Sequence, residues 1–339
     1  MAKVLKPLTE QVVVITGASS GIGLVTARMA VQRGAAVVLA ARNADALRTL
    51  EEELRAAGGR AHHVVADVGR QEDVGRIADA ARQAFGGFDT WVNNAAVSIF
   101  GSVDEVSIED MHRMVDTNYW GVVYGCREAV AQFKGRTGSS GAIVNVGSVF
   151  GDRATPVQST YASAKHAVHG WTDALRMEME AQGVPVSVTL LHPGRIDTPY
   201  NEHAQSYLDQ QPAHRGMIYP PEAVAEAILH AAAHPTRDLF IGSQVKIGVV
   251  AAALAPRLMD RIMERHMYRS QHADRPSRRT GDSALHRAGY GLHERGTHEG
   301  WVRGRSYYLK AEKHPVLTTV LVAAAVGTVV SRAGGRRRE

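Results

Sequence analysis

Between residues 11 and 242 the chain alternates short, almost wholly apolar runs with longer stretches whose apolar residues recur every three or four positions. A short continuous apolar run reads as a strand buried on both faces, and the longer period as a helix covered on one side. Strands are expected over residues 11–16, 36–41, 60–67, 88–94, 141–148, 185–191 and 238–241. Helices are expected over 20–33, 43–57, 70–85, 107–134, 159–182 and 221–233. This order predicts an α/β fold, a doubly wound seven-stranded parallel sheet flanked by helices, with ligands received outside the strand carboxyl ends. The 339 residues are 45% hydrophobic and 22% charged, which suits one such domain over 1–242 and a C-terminal extension.

The extension has a different character. Residues 243–269 are apolar and then amphipathic, predicting a helix, and 270–306 are rich in Arg, Gly, His and Ser, predicting a basic linker or arm. Residues 307–339 hold an uncharged stretch, 316–330, between basic flanks. As a helix those 15 residues reach ~22 Å, short of a ~30 Å hydrocarbon core. Docking on the body or a partner subunit, membrane attachment and disorder all stay open for this tail. The formal charge is +5, but residues 256–339 carry 17 Lys/Arg against 8 Asp/Glu, a net of +9 that leaves −4 for the rest. The body therefore has no basic excess to meet nucleic acid, and no nucleic-acid partner is expected. One cysteine, Cys126, excludes an internal disulfide framework or thiolate metal site, and no apolar signal core precedes the first strand. The cytoplasm is the expected compartment, with the tail as the one segment suited to a membrane.

The first strand runs into Thr16-Gly17-Ala18-Ser19-Ser20-Gly21-Ile22-Gly23, which opens a helix. Glycines permit the tight turn and the close approach of backbone to a pyrophosphate, and the free N–H groups of the helix start hold it. The end of the second strand then chooses the cofactor. An acidic residue there would bind a ribose hydroxyl of NAD. This chain has Ala41 followed by Arg42, whose guanidinium suits a 2′-phosphate, so NADP(H) is expected over NAD(H). Farther on, Tyr161 and Lys165 stand four residues apart on one predicted helix face, where the ammonium would lower the phenol's pKa and make it an acid/base.

In these features the chain resembles the short-chain dehydrogenase/reductase family, whose fold is Rossmann-like, over about residues 10–242. The glycine turn matches over Thr16 to Gly23, so Gly17, Ser19, Ser20, Gly21, Ile22 and Gly23 are expected at the cofactor. The resemblance assigns Asp67 and Val68 to the adenine, and Asn94 and Ala95 to the segment that this family writes Asn-Asn-Ala-Gly, here ending in Ala96. It assigns Pro193, Gly194, Ile196 and Thr198 to the nicotinamide amide. By the same resemblance Ser148 is the catalytic serine, Tyr161 the acid/base and Lys165 the group that tunes it and grips the nicotinamide ribose. Asn118 would position a water that passes protons to Lys165.

The implied activity is hydride transfer between NADP(H) and a carbonyl or alcohol by a homo-oligomer, dimer or tetramer. The competing expectation is a catalytically weak NADP(H) sensor or scaffold recruited by its tail, but such a protein need not keep Ser148, Tyr161 and Lys165 together. No metal motif stands among the 16 histidines, His62, His63, His166 and His169 included, so they are expected as packing or surface residues. Cys126, Asp89, Asp197, Tyr119 and Trp120 are likewise expected to be structural. Residues 200–219 stand where the family carries its variable lid, and Phe100, Phe150 and Met217 are expected to line the substrate pocket.

Overall fold

The computed structural model describes residues 3–304 apart from 214, 278–282 and 299. The apolar tail of 316–330 therefore lies outside the described residues. Seven strands build the central sheet: β1 (Val12–Thr16), β2 (Ala36–Ala41), β3 (Ala61–Val65), β4 (Thr90–Asn93), β6 (Gly141–Val146), β7 (Val186–Pro193) and β10 (Asp238–Ile241). Their spatial order is β3-β2-β1-β4-β6-β7-β10, and every pairing is parallel. The chain runs outward one way from β1 and then returns to start the other half at β4. The switch point thus falls between β1 and β4, where a doubly wound sheet opens its ligand crevice.

Helices α1 (Gly21–Gln32), α2 (Ala44–Ala56), α3 (Gln71–Phe85), α5 (Gly121–Phe133), α6 (Ser159–Ala181) and α8 (Pro221–Ala233) provide the crossovers. Two large apolar clusters cover the faces of the sheet. Val13, Ile15 and Leu39 pack toward Leu24, Leu47 and Ile228 in one, and Val14, Val38 and Ile143 toward Ile77, Val122 and Val168 in the other. Alternate residues of one strand thus serve opposite layers, as a sheet covered on both faces requires.

The predicted helix over 107–134 is three pieces: α4 (Ile108–Val115), a π-helical turn (Asp116–Trp120) and α5. Sequence periodicity could not separate them because the wider turn leaves the apolar face continuous. Two short strand pairings were also unforeseen. β5 (Ile99–Phe100) pairs with β8 (Gln205–Ser206), and β9 (Gln210–Pro212) with β11 (His272–Pro276), so the lid region is tied both to the segment after β4 and to the extension. The stretch 243–269 holds α9 (Ser243–Leu254) and α10 (Pro256–Ile262), broken where Pro256 cannot continue the first helix. No helix among the described residues is long and apolar enough to cross a membrane.

Candidate active site

Helix α6 carries Tyr161 and Lys165 on its buried face, 7% and 3% exposed. The Lys165 ammonium donates to the Val146 carbonyl at the end of β6, 2.8 Å away, and lies 5.8 Å from the centre of the Tyr161 ring. Two residues beyond that carbonyl, Ser148 caps a short 3-10 turn, its Oγ accepting the Phe150 N–H at 3.1 Å. The same hydroxyl is close enough to the Tyr161 phenol to favour its ionised form. β6 and α6 thus bring the three expected groups to one point.

Electrostatics departs from expectation. Burial pushes the Tyr161 phenol above its ordinary value, and the Ser148 and Tyr200 hydroxyls offset this only in part. Burial pushes Lys165 down to about 8. Lys165 does not lower the phenol among the protein's own groups, because its ammonium is turned to the Val146 carbonyl.

One cavity joins this point to the glycine turn, and it is lined by Gly17, Ser19, Ser20, Gly21 and Ile22 at one end and by Ser148, Phe150, Tyr161 and Lys165 at the other. Asp67, Val68, Asn94, Ala95, Pro193, Gly194, Ile196 and Thr198 also line it. Gly23 does not; a Cβ there would run into the Gly17 carbonyl, so its role is to let α1 close on the turn. Gly17 stands at φ +68°, with a built Cβ 2.8 Å from the Ala95 Cα. The turn is fixed to the β4 end by Thr16, whose Oγ1 accepts the N–H groups of Asn94 and Ala95 at 3.0 and 3.1 Å. These close main-chain approaches suit a dinucleotide diphosphate at the start of α1.

Two assigned residues are committed elsewhere. Arg42 lines the cavity, but its guanidinium donates to the main-chain carbonyls of Ala284 and Leu285, the latter at 3.0 Å. The free guanidinium expected from the sequence is therefore engaged by the C-terminal arm. Asn118 is fully buried in the π-helical turn and outside the cavity lining, its amide spent on Val97 (Oδ1 from the N–H at 2.8 Å, Nδ2 to the carbonyl at 2.9 Å). Asp67 pairs with Arg113 at 2.5 Å.

A model of the family described as short chain dehydrogenase matches residues 11–208. This chain belongs to the short chain dehydrogenase family. The oxidoreductase YxnA of Bacillus subtilis is 63% identical over 97% of this chain and 92% of its own length. The putative oxidoreductase SadH of Mycobacterium tuberculosis is 34% identical over 72% of this chain and 90% of its own. Among solved structures, a short chain dehydrogenase/reductase from Burkholderia phymatum in complex with NAD superposes with TM-score 0.68 and 28% identity, covering 75% of this chain and 96% of that one. An alcohol dehydrogenase from Thermococcus sibiricus complexed with 5-hydroxy-NADP gives 0.58 and 27%, covering 68% and 95%. The chain is an oxidoreductase of this family with a nucleotide-binding α/β fold.

The lining of the cavity around Tyr161 differs from expectation in its residues. Phe150 lines the cavity as expected, whereas Phe100 and Met217 are not among its lining residues. Phe100 is buried with Val157 and Ala204, and Met217 packs on the core and accepts from the Tyr219 hydroxyl through its sulfur. Tyr200 and Ser98 take their place. The Tyr200 hydroxyl receives Ser98 Oγ at 2.7 Å and Gln158 Nε2 at 2.9 Å, and it meets the Tyr161 phenol. No motif announces this group, because it is drawn from the segment after β4, the residue before α6 and the start of the lid.

Behind Ser148 lies a second unforeseen cluster. Asp152, His169 and His192 bring one ligand atom each within 4.8 Å of one another, the one group among the described residues with metal-like proximity. Asp152 accepts from His192 Nδ1 at 2.8 Å and faces His169 Nδ1 at 3.6 Å. Burial would raise the Asp152 carboxyl, but the two imidazoles hold it well below the carboxylate range. The cluster forms a buried polar contact between α6, β7 and the loop after Ser148, in which the Nε2 atoms of His169 and His192 have no hydrogen-bond partner among the described residues. Cys126 is fully buried and pushed up to about 12 by burial, the inert core thiol expected. Asp89 accepts the Val12 N–H at 2.9 Å and pairs with Lys6 and Arg136, a structural acid as expected.

Proposed function

We propose that the chain is an NADP(H)-dependent oxidoreductase that interconverts a carbonyl and a primary or secondary alcohol. The observation that carries this reading is that Tyr161, Ser148 and Lys165 line one cavity with the glycine turn, Lys165 5.8 Å from the Tyr161 ring centre. When bound, the nicotinamide supplies or accepts the hydride. In the reducing direction Tyr161 gives its proton to the carbonyl oxygen as negative charge grows there. Ser148 Oγ donates to that oxygen and orients the carbonyl. Lys165, in the same cavity, is the group that would hold the ribose hydroxyls. Phe150 and the Tyr200 ring give the reacting end an apolar wall.

NADP(H) is the preferred dinucleotide because the end of β2 offers no carboxylate. Ala41 stands there, and Asp67 nearby is neutralised by Arg113. A 2′-phosphate, as a dianion, outcompetes the neutral Ala284 and Leu285 carbonyls for Arg42. Arg42→Ala is therefore expected to raise the Kd for NADPH roughly tenfold or more while leaving NADH little changed, since a hydrogen bond to a charged group is worth ~1.5–3 kcal/mol. Fluorescence titration with both dinucleotides checks it; an unchanged preference contradicts the assignment. The reaction itself is tested by incubating the protein with NADPH or NADP+ and a metabolite extract. Mass spectrometry should show compounds that gain or lose two hydrogens. Intact cofactor binding without any such compound contradicts the reading.

A further inference from the structure

The polar arm after β11 does not behave as a linker. Residues 283–297 cross the cavity from one lip to the other, anchored on both. On the α4 side Leu285 is fully buried in the apolar cluster that holds Val97, Met114 and Tyr161. Its carbonyl accepts from Arg113 at 3.2 Å as well as from Arg42, and His286 meets Asp110 at 2.7 Å. In the middle Gly289 accepts from the Asn43 amide at 2.9 Å. The chain then lies along the glycine turn: the Leu292 N–H donates to the Ser19 carbonyl at 2.8 Å, and the His293 carbonyl accepts the Gly21 N–H at 2.9 Å. On the far side Glu294 pairs with Arg28 at 2.6 Å, and Thr297 donates its N–H to Glu202 at 2.7 Å. The fit is close. A Cβ at Gly291 would run into the Ala46 Cβ, and one at Gly296 would come within 2.5 Å of the Thr198 carbonyl.

Ala284, Ala288, Gly289 and Tyr290 line the same cavity as the glycine turn. We propose that residues 283–297 are the outer wall of the dinucleotide site, and that this wall must lift before a cofactor can enter or leave. The proposal rests on the dinucleotide reading of the cleft. The crevice of a doubly wound sheet is ordinarily reached from outside the strand ends. Here that approach is crossed by a segment pinned to both lips. Lifting it also frees the Gly21 N–H at the start of α1, where an anion is received, and the Arg42 guanidinium. Opening therefore exposes donors at the moment a phosphate needs them. Once the cofactor is seated, the anchors that do not use those donors, His286 to Asp110, Glu294 to Arg28 and Thr297 to Glu202, reclose over it. A wall that gates in this way acts on the rates of exchange in both directions more than on affinity.

Stopped-flow measurement of NADPH binding and displacement on the full chain tests it, with nicotinamide fluorescence as the signal. Gly291→Ala wedges the wall off α2, and Leu285→Ala removes its buried anchor; neither residue lines the cavity. In each variant the association and dissociation rate constants are both expected to rise at least fivefold, with Kd within threefold of the unaltered protein. Unchanged rates with binding intact overturn the proposal, and so does a faster association with a proportionally tighter Kd, which would make the segment a competitor of the cofactor. NADPH that fails to bind the unaltered protein defeats the dinucleotide reading itself, an outcome distinct from either.

Discussion

Tyr161→Phe is expected to lower turnover by roughly 10²–10⁴-fold, the usual contribution of a positioned proton donor. The change removes one oxygen and keeps the ring, which is held edge-on between Phe150 and Tyr200 with centres 6.4 and 5.6 Å away. The cavity should keep its shape, so NADPH affinity and the melting temperature should stay close to those of the unaltered protein. The direction of the reaction adds a second signature. Burial raises the phenol's pKa, so the proton-donating form prevails through neutral pH. Carbonyl reduction should be nearly flat there, whereas alcohol oxidation, which needs the phenolate, should climb as pH rises. Turnover within threefold of the unaltered protein would show that another group gives the proton.

Lys165→Met is expected to abolish turnover and yet stabilise the fold at neutral pH. The lysine is 3% exposed, and burial has brought it from an ordinary 10.5 to about 8. Keeping a charged ammonium there costs about 3 kcal/mol at pH values where both states are protonated. Removing it also leaves the Val146 carbonyl without its 2.8 Å donor, which returns about 1 kcal/mol. The net gain is ~2 kcal/mol, several degrees in the midpoint of a chain of this size. Its pH dependence follows from the depressed pKa. Below pH about 8 the folded lysine is charged and the gain is full. Between about 8 and 10.5 the folded lysine is neutral while the unfolded one still binds its proton, so the unaltered protein gains stability and the difference closes. Thermal melts at neutral and alkaline pH check this. A variant less stable at neutral pH would mean that the ammonium's contacts outweigh its desolvation. A lysine retained at such a cost fits a site where stability is given up for activity.

What could be read from the sequence was whatever chemistry binds to chain spacing. Tyr161 and Lys165 share a face because a helix places i and i+4 together, and the turn from Thr16 to Gly23 needs its glycines because backbone must approach backbone. The sheet was equally plain, since strands buried on both faces are continuous apolar runs. What was hidden depends on partners far apart in the chain. Arg42 was found at the end of β2, but its carbonyl partners come 242 and 243 residues later. Asn118 matched its motif, yet only the fold shows the amide spent on Val97. Tyr200, Ser98 and Gln158 meet because β5 pairs with β8, and Asp152, His169 and His192 because α6 packs on β7. The stretch 270–306 read only as a basic linker or arm for a physical reason: residues 283–297 are held by hydrogen bonds and ion pairs along a polar chain, with Leu285 as their one fully buried apolar anchor.

The central claim is that this cavity moves a hydride between a bound nicotinamide and a carbon bearing oxygen, with Tyr161 moving the proton. The most direct measurement uses NADPH carrying deuterium at the transferable C4 position, incubated with the protein and a carbonyl-rich metabolite extract. The account predicts deuterium on the carbinol carbon of a product formed by the unaltered protein, and none formed by Tyr161→Phe with NADPH still bound. Equal labelling by both proteins, or a bound NADPH that labels no product with either, would contradict it.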